Sequence, residues 1–275
     1  MKIDAHQHFW EYNSKEYSWI GDSMNILKRD FLPDELEKEL HQIDFSGSIA
    51  VQARQSIEET RWLLALSDQN KFIRGIVGWI DLTSHSVKEQ LAEFSNHPKL
   101  VGVRHVVHDE PDDYFMLRED FLQGISLLKK YDLVYEILIF PKHLPAAIRL
   151  VKMFPEQTFI LDHLAKPDIK SGTLGLWHEK IRELASFPNV SCKLSGMVTE
   201  ANWQHWKKED FHPFLKTVFS AFGTSRLLIG SDWPVCTVAG SYQDVMGIVL
   251  DYLDKMDQED KEKVTGKNAQ QLYSL

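Results

Sequence analysis

Met1-Lys2-Ile3-Asp4-Ala5-His6-Gln7-His8-Phe9-Trp10 opens the chain as an apolar-leaning run that ends in two histidines one residue apart. In a strand, residues i and i+2 share a face and sit about 6.5 Å apart. Both imidazoles then point at one site, as two ligands of one metal ion or two donors on one substrate group. Two unrelated surface histidines are the alternative, since the chain holds twelve. What separates the readings is whether the pattern recurs: a short buried strand ending in polar side chains.

It recurs along the whole chain. Pro33 suits the first turn of a helix whose Leu36, Leu40 and Ile43 fall at helical spacing, with Gly47 as its exit. Strand-like runs follow at 48–52, 73–79, 100–105, 133–138, 158–163, 190–194 and 226–232, with helical patterns between them at 58–66 and 121–130 among others. Near the C-terminal ends of these runs stand Gln52, Arg104 and His105, Glu136, His163, Lys193 and Asp232. Eight apolar strands alternating with helices predict a closed parallel (β/α)8 barrel, an α/β fold occupying residues 1–275 as one domain. A barrel gathers strand ends around one mouth, whereas the alternative, an open doubly wound sheet, spreads them along an edge.

The 275 residues are 43% hydrophobic and 26% charged, enough apolar material for a large core. A formal net charge of −9 gives no electrostatic reason to bind nucleic acid or an anionic membrane, and small-molecule chemistry fits better. No run approaches the ~20 apolar residues of a membrane span, and no signal-peptide block precedes the first strand, so a cytoplasmic setting is expected. Cys192 and Cys236 lack zinc-ligand spacing and disulfide-scaffold density, and read as reduced thiols. Cys192 alternates with Lys193, so a lysine facing the mouth turns the thiol toward the helices and away from catalysis.

The chain resembles the amidohydrolase superfamily, the amidohydrolase-related family in particular, and within it the sugar-lactone hydrolases typified by L-fuconolactonases and L-rhamnonolactonases. The resemblance spans the whole chain. It is carried by Asp4-Ala5-His6-Gln7-His8-Phe9-Trp10, Val77-Gly78-Trp79-Ile80-Asp81-Leu82, Gly102-Val103-Arg104-His105, Asp162-His163-Leu164-Ala165-Lys166-Pro167, Cys192-Lys193-Leu194-Ser195-Gly196, Gly230-Ser231-Asp232-Trp233-Pro234 and Gly266-Lys267-Asn268-Ala269. It implies a distorted (β/α)8 barrel that hydrolyses aldonic-acid lactones, with His6, His8, His163 and Asp232 as the hydrolytic site and Asp232 taking the proton of the attacking water. Metal-dependent members commonly carry a histidine on the fifth strand and often a bridging lysine on the fourth. Glu136 and Arg104-His105 stand there instead, which argues against a binuclear centre. One divalent cation, zinc or manganese, held by His6, His8, Glu136 and Asp232 remains compatible, and some similar lactonases work without metal.

A lactone carbonyl is an activated ester, so the chemistry requires a positioned water, a base and stabilisation of a tetrahedral oxyanion. An unshielded Asp232 is ionised at neutral pH, and desolvation would strengthen it as a base. His163, His6 and Arg104 are the cationic or polar donors for the oxyanion. Lys166, Lys193, Arg104 and Gln52 are candidate substrate contacts, with Trp10 and Trp233 as surfaces for a sugar face. Their structural alternatives are a solvated loop lysine, a lysine with an acidic partner, an arginine that ties down Glu136, and tryptophans that cap the core. His105 and His108 read as structural or as supports just behind the site, and the acidic run 109–113 as a solvated loop. Two other functions stay open: a decarboxylase of aromatic acids, which Glu136 disfavours because those enzymes carry histidine there, and a silent sugar-acid binding protein, which Asp232 disfavours. A homo-oligomer is compatible with this composition.

Overall fold

The computed structural model describes residues 1–275. Each apolar run becomes a parallel strand: β1 (Ile3–Gln7), β2 (Gly47–Val51), β3 (Ile73–Gly78), β4 (Leu100–Val106), β5 (Val134–Leu138), β6 (Phe159–Leu161), β7 (Val190–Leu194) and β8 (Leu227–Ile229). Between them run α1 (Pro33–Gln42), α2 (Ile57–Gln69), α3 (Val87–Phe94), α4 (Glu119–Leu128), α5 (Leu144–Met153), α6 (Gly175–Ala185) and α7 (Lys208–Phe222). The chain finishes with α8 (Tyr242–Leu253), α9 (Gln258–Glu262) and α10 (Asn268–Leu272). No helix is long and apolar enough to cross a membrane.

The strands pair strictly in chain order, and the two ends of the sheet meet. The Asp232 N–H donates to the His6 carbonyl at 2.8 Å and the His8 N–H to the Trp233 carbonyl at 2.7 Å. This seam closes the (β/α)8 barrel and rules out the open sheet. Asp4 bolts it from outside: its carboxylate accepts from the Ser231 N–H (2.9 Å), the Ser231 hydroxyl (2.6 Å) and the Tyr242 hydroxyl (3.0 Å).

Local chemistry accounts for the helices. Pro33 occupies the first turn of α1, which buries Leu36 and Leu40. Ser241 and Asp244 form a reciprocal capping box on α8. The exit from α1 differs from the sequence expectation: the turn is made at Asp44, with φ 60°, whereas Gly47 starts β2. Glycine is needed there for space, because a Cβ would stand 2.9 Å from Arg74 Cγ.

Two apolar layers result. The larger lies between barrel and helices, and the smaller fills the lower barrel with Ile3, Val51, Val134, Ile160 and Leu228. Ala269 and Tyr273 join that interior set, so the C-terminal segment forms the barrel floor. The Asn268 amide fixes it there by donating to the carbonyls of Thr224 (2.7 Å) and Leu227 (2.8 Å).

Candidate active site

His6 and His8 reach one face by an irregularity that simple alternation does not predict. Ile3 and Ala5 point into the barrel, so strict alternation would turn His6 outward. The register against β2 shifts between Asp4, opposite Ser48, and Gln7, opposite Ala50. Three residues of β1 thus advance against two of β2, as in a bulge, and the strand turns over by one position. His6 and His8 then face inward, their Nε2 atoms 3.3 Å apart.

β6 and β8 stop at Leu161 and Ile229, short of the residues expected to end them. His163, Leu164, Ala165 and Lys166 all have φ between 50° and 59°, and Asp232 has φ 59°. Left-handed backbone at non-glycine residues is strained, and a run of four is sustained only by its surroundings. Gly196 makes room for it: a Cβ there would lie 2.4 Å from His163 Nδ1. The imidazole rests over that glycine with Nδ1 2.9 Å from the Ser195 hydroxyl.

These devices bring four of the expected residues together. Asp232 Oδ1 lies 3.2 Å from His8 Nε2, 3.7 Å from His6 Nε2 and 3.9 Å from His163 Nε2. Burial alone raises a carboxyl, but at Asp232 it is outweighed by His163, the His8 contact and His6, which hold the group well below the usual carboxylate range. The desolvation expected to strengthen this base is therefore overridden. Burial lowers the His163 imidazole to about 4. Burial and the nearby Lys193 ammonium press His6 well below its usual range.

The donor set fits a metal ion. His8 Nδ1 lies 2.8 Å from the Val51 carbonyl, which holds the proton on Nδ1 and leaves Nε2 as a lone pair. That lone pair faces a carboxylate oxygen at 3.2 Å. Two acceptors at that distance call for a cation or proton between them. The edges of the His6, His8, Asp232 triangle, 3.3, 3.2 and 3.7 Å, are close to the ~3.3–3.5 Å that tetrahedral bonds of ~2.0–2.1 Å impose. His6, Asp162 and His163 form a second cluster. There, however, Arg104 Nη1 (3.0 Å) and Lys193 Nζ (3.4 Å) already neutralise Asp162. The triangle alone is left for a cation, which would take the place on His6 Nε2 now held by Arg104 Nη1 at 3.2 Å.

Glu136 does not join that site. Its Oε1 accepts the Tyr273 hydroxyl at 2.5 Å, and its Oε2 makes a charge contact with Lys193 Nζ at 2.6 Å that is poorly angled for a hydrogen bond. It lies at the level of Arg104 and Ile160 in the register, below the mouth. Burial pushes its carboxyl up to about 7 against the opposing pull of Lys193. Lys193 is likewise no substrate contact. Its ammonium is fully buried against Glu136, His6 Nδ1 (3.2 Å) and Asp162 (3.4 Å).

Gln52 is buried and spent on Arg104, whose Nη2 donates to the Gln52 carbonyl. The two tryptophans are core. Trp10 Nε1 donates to the Arg29 carbonyl at 2.9 Å and its ring packs against Tyr17, Trp19 and Phe31. Trp233 packs edge-on against Phe9 and Phe31. The segment 11–32 folds back over both, which their position beside strand ends does not reveal.

A cavity of about 370 Å³ opens above the cluster, within the ~300–1,000 Å³ of small-molecule sites. His8, Arg104, His163, Lys166 and Asp232 line it. Arg104 is 3% exposed, and its Nε has no protein partner. Three residues that the sequence does not single out as site groups belong to the site. Asp162 ties Arg104, Lys193 and His6 together; burial opposes its ionisation, but Lys193, His6 and Arg104 prevail and hold it well below its usual range. Glu200 pairs with Lys166 at 2.6 Å. His108 lines the wall, and burial, then Lys166, lower its imidazole to about 3. Asp162 carries a signal, since it adjoins His163; nothing in the local pattern marks Glu200.

Residues 3–275 match the amidohydrolase family, and the chain belongs to that family. It is 38% identical to an L-fucono-1,5-lactonase of Burkholderia multivorans over 286 residues, covering 100% of this chain and 96% of the relative. An L-fucono-1,5-lactonase of Burkholderia ambifaria is 35% identical, again over the whole of this chain and 96% of its own. The crystal structure of an amidohydrolase from Burkholderia multivorans with bound zinc superimposes with a TM-score of 0.96 at 38% identity, covering 100% of this chain and 99% of the other.

Proposed function

We propose that the protein hydrolyses the lactone of an aldonic acid, an L-fucono-lactone or a close stereochemical relative, to the open-chain acid. The observation that carries this reading is the ionised Asp232 among three histidines at the foot of the cavity. The wall offers no free thiol or hydroxyl as a competing nucleophile: Cys192 and Cys236 are buried outside it, and the Thr199 hydroxyl donates to the Gly196 carbonyl at 2.7 Å. The full-length likeness to lactonases supports the substrate class.

In this mechanism Asp232 accepts a proton from a water lying over the lactone, and the water oxygen bonds to the carbonyl carbon. The tetrahedral oxyanion takes a hydrogen bond from His163, whose proton sits on Nε2 when Ser195 donates to Nδ1, while the Arg104 guanidinium in the same wall supplies positive charge. The carbon–ring-oxygen bond then breaks, and Asp232 returns the proton to the departing alkoxide. His6, His8 and Asp232 would hold a single divalent cation, zinc or manganese, which when bound polarises the carbonyl and acidifies water. Because the ester is activated and Arg104 supplies positive charge of its own, the metal contributes to the rate without carrying all of it.

The deciding assay follows acid release from aldono-lactones in a pH indicator, before and after exhaustive chelation checked by elemental analysis. Turnover should fall and stay measurable. Complete loss restored by one equivalent of zinc would make the metal essential, and two tightly bound ions per chain would overturn the single-site geometry.

Gly196→Ala tests the support behind His163. The added Cβ needs the space the ring occupies, at a residue with φ 59°. Displacing the imidazole by about 1 Å should cost on the order of 10²-fold in kcat/KM. Wild-type kinetics in that variant would show that His163 needs no such seat.

A further inference from the structure

His6 and His8 are unequal arms of the cation triangle. The His8 ring has the Val51 carbonyl at Nδ1 and His6 and Asp232 at Nε2, with no lysine or arginine bonded to it. His6 stands between two cations: Lys193 Nζ lies 3.2 Å from its Nδ1 and Arg104 Nη1 3.2 Å from its Nε2. Both cations can only donate, and a neutral imidazole has one lone pair to accept with. The ammonium hydrogens rotate, and Glu136 at 2.6 Å and Asp162 at 3.4 Å lie within their reach. The guanidinium hydrogens are fixed in a planar fork. That plane is itself held, because Nη1 also donates to Asp162 Oδ2 at 3.0 Å and Nη2 donates to the Gln52 carbonyl. Arg104 thus has the firmer claim on His6, at Nε2, with the His6 proton left on Nδ1 beside Asp162 Oδ1 at 3.4 Å. The other tautomer serves a cation no better, since a proton on Nε2 leaves no lone pair there.

On the single-cation reading of the triangle, on which this rests, we propose that Arg104 competes with the ion for His6. His8 and Asp232 then carry a bound ion, and His6 engages it only by releasing the guanidinium. A hydrogen bond from a charged donor is strong enough to weaken the ion by about 10- to 100-fold. Nothing on the His8 side imposes a like cost. Arg104 is in this sense a resident cation of the site, and it sets how tightly a metal is kept.

Zinc affinity tests this without reference to turnover, read on chelated protein by competition with a chromophoric chelator. Arg104→Met should tighten zinc by about 10- to 100-fold. In a His6→Leu background the same substitution should do far less, because the disputed lone pair is gone. A guanidinium that repels zinc through charge alone would act equally in both backgrounds. If Arg104→Met does not fold, His6→Leu and His8→Leu carry the question with Arg104 kept: losing His8 should weaken zinc about ten times more than losing His6. Unchanged or weaker zinc in Arg104→Met, equal tightening in both backgrounds, or equal losses at the two histidines would overturn the competition and leave the triangle standing. Zinc binding indifferent to both histidines, or absent from wild type and variant alike, would overturn the triangle and the competition together, while lactone hydrolysis is judged by its own assay.

Discussion

Asp232→Asn should lower lactone turnover by roughly 10²- to 10⁴-fold with the barrel intact. Asparagine suits the test because it tolerates the left-handed backbone that Asp232 adopts at φ 59°, as few other residues do. Its N–H can still donate to the His6 carbonyl, so the seam between β8 and β1 is kept. What disappears is the charge that accepts the proton. Asp232 also belongs to the metal triangle, and loss of rate alone would not separate base from ligand. Chelated protein separates them. If the carboxylate is the base, the variant stays far below wild type after both are stripped; if it only holds metal, the stripped proteins converge. A folded Asn variant with wild-type turnover would end the assignment.

Lys193→Met should cost about 3–5 kcal/mol of unfolding free energy. The ammonium is fully buried and stands between Glu136 and Asp162. Methionine fills much the same volume but leaves Glu136 with the Tyr273 hydroxyl alone, while Asp162 retains Arg104. Adding Glu136→Gln should recover a large part of the loss, because the orphaned charge is then gone, and the cycle of single and double variants measures the coupling. Urea unfolding monitored by tryptophan fluorescence reads it directly. A single-variant loss under 1 kcal/mol would mean that the ammonium's desolvation already cancels its attractions.

Eight apolar runs with polar ends were enough to read the barrel, because burial on both faces and the alternation with helices are properties of local sequence. The histidine pair was legible as a pair, but its inward direction was not. That depends on the register slip between Asp4 and Gln7, a relation between two strands that neither run displays alone. Glu136 was legible as a buried carboxylate and misassigned as a ligand, since its partners Lys193 and Tyr273 arrive from distant parts of the chain. Trp10 and Trp233 resembled sugar platforms for a similar reason: segment 11–32 has little periodicity, and its return over Trp10 is fixed by contacts such as the Arg29 carbonyl. Adjacency to His163 marks Asp162, but strict alternation along a strand would turn it away from the site. It and His163 serve one cluster although they are adjacent, which an extended strand forbids and the left-handed turn permits.

The Tyr273 hydroxyl meets a carboxylate that precedes it by 137 residues. Protein synthesis is directional, so a ribosome exposes the strands of the barrel long before it releases the turn that closes their underside. Until residues 268–275 clear the exit tunnel, Glu136 lacks this partner and the lower interior lacks Ala269 and Tyr273. A chain that has all eight strands but lacks these residues therefore has an unfilled lower barrel and a Glu136 without its hydroxyl partner. Trimming these residues should behave as a wound to the core, unlike the harmless shortening that most domain ends tolerate.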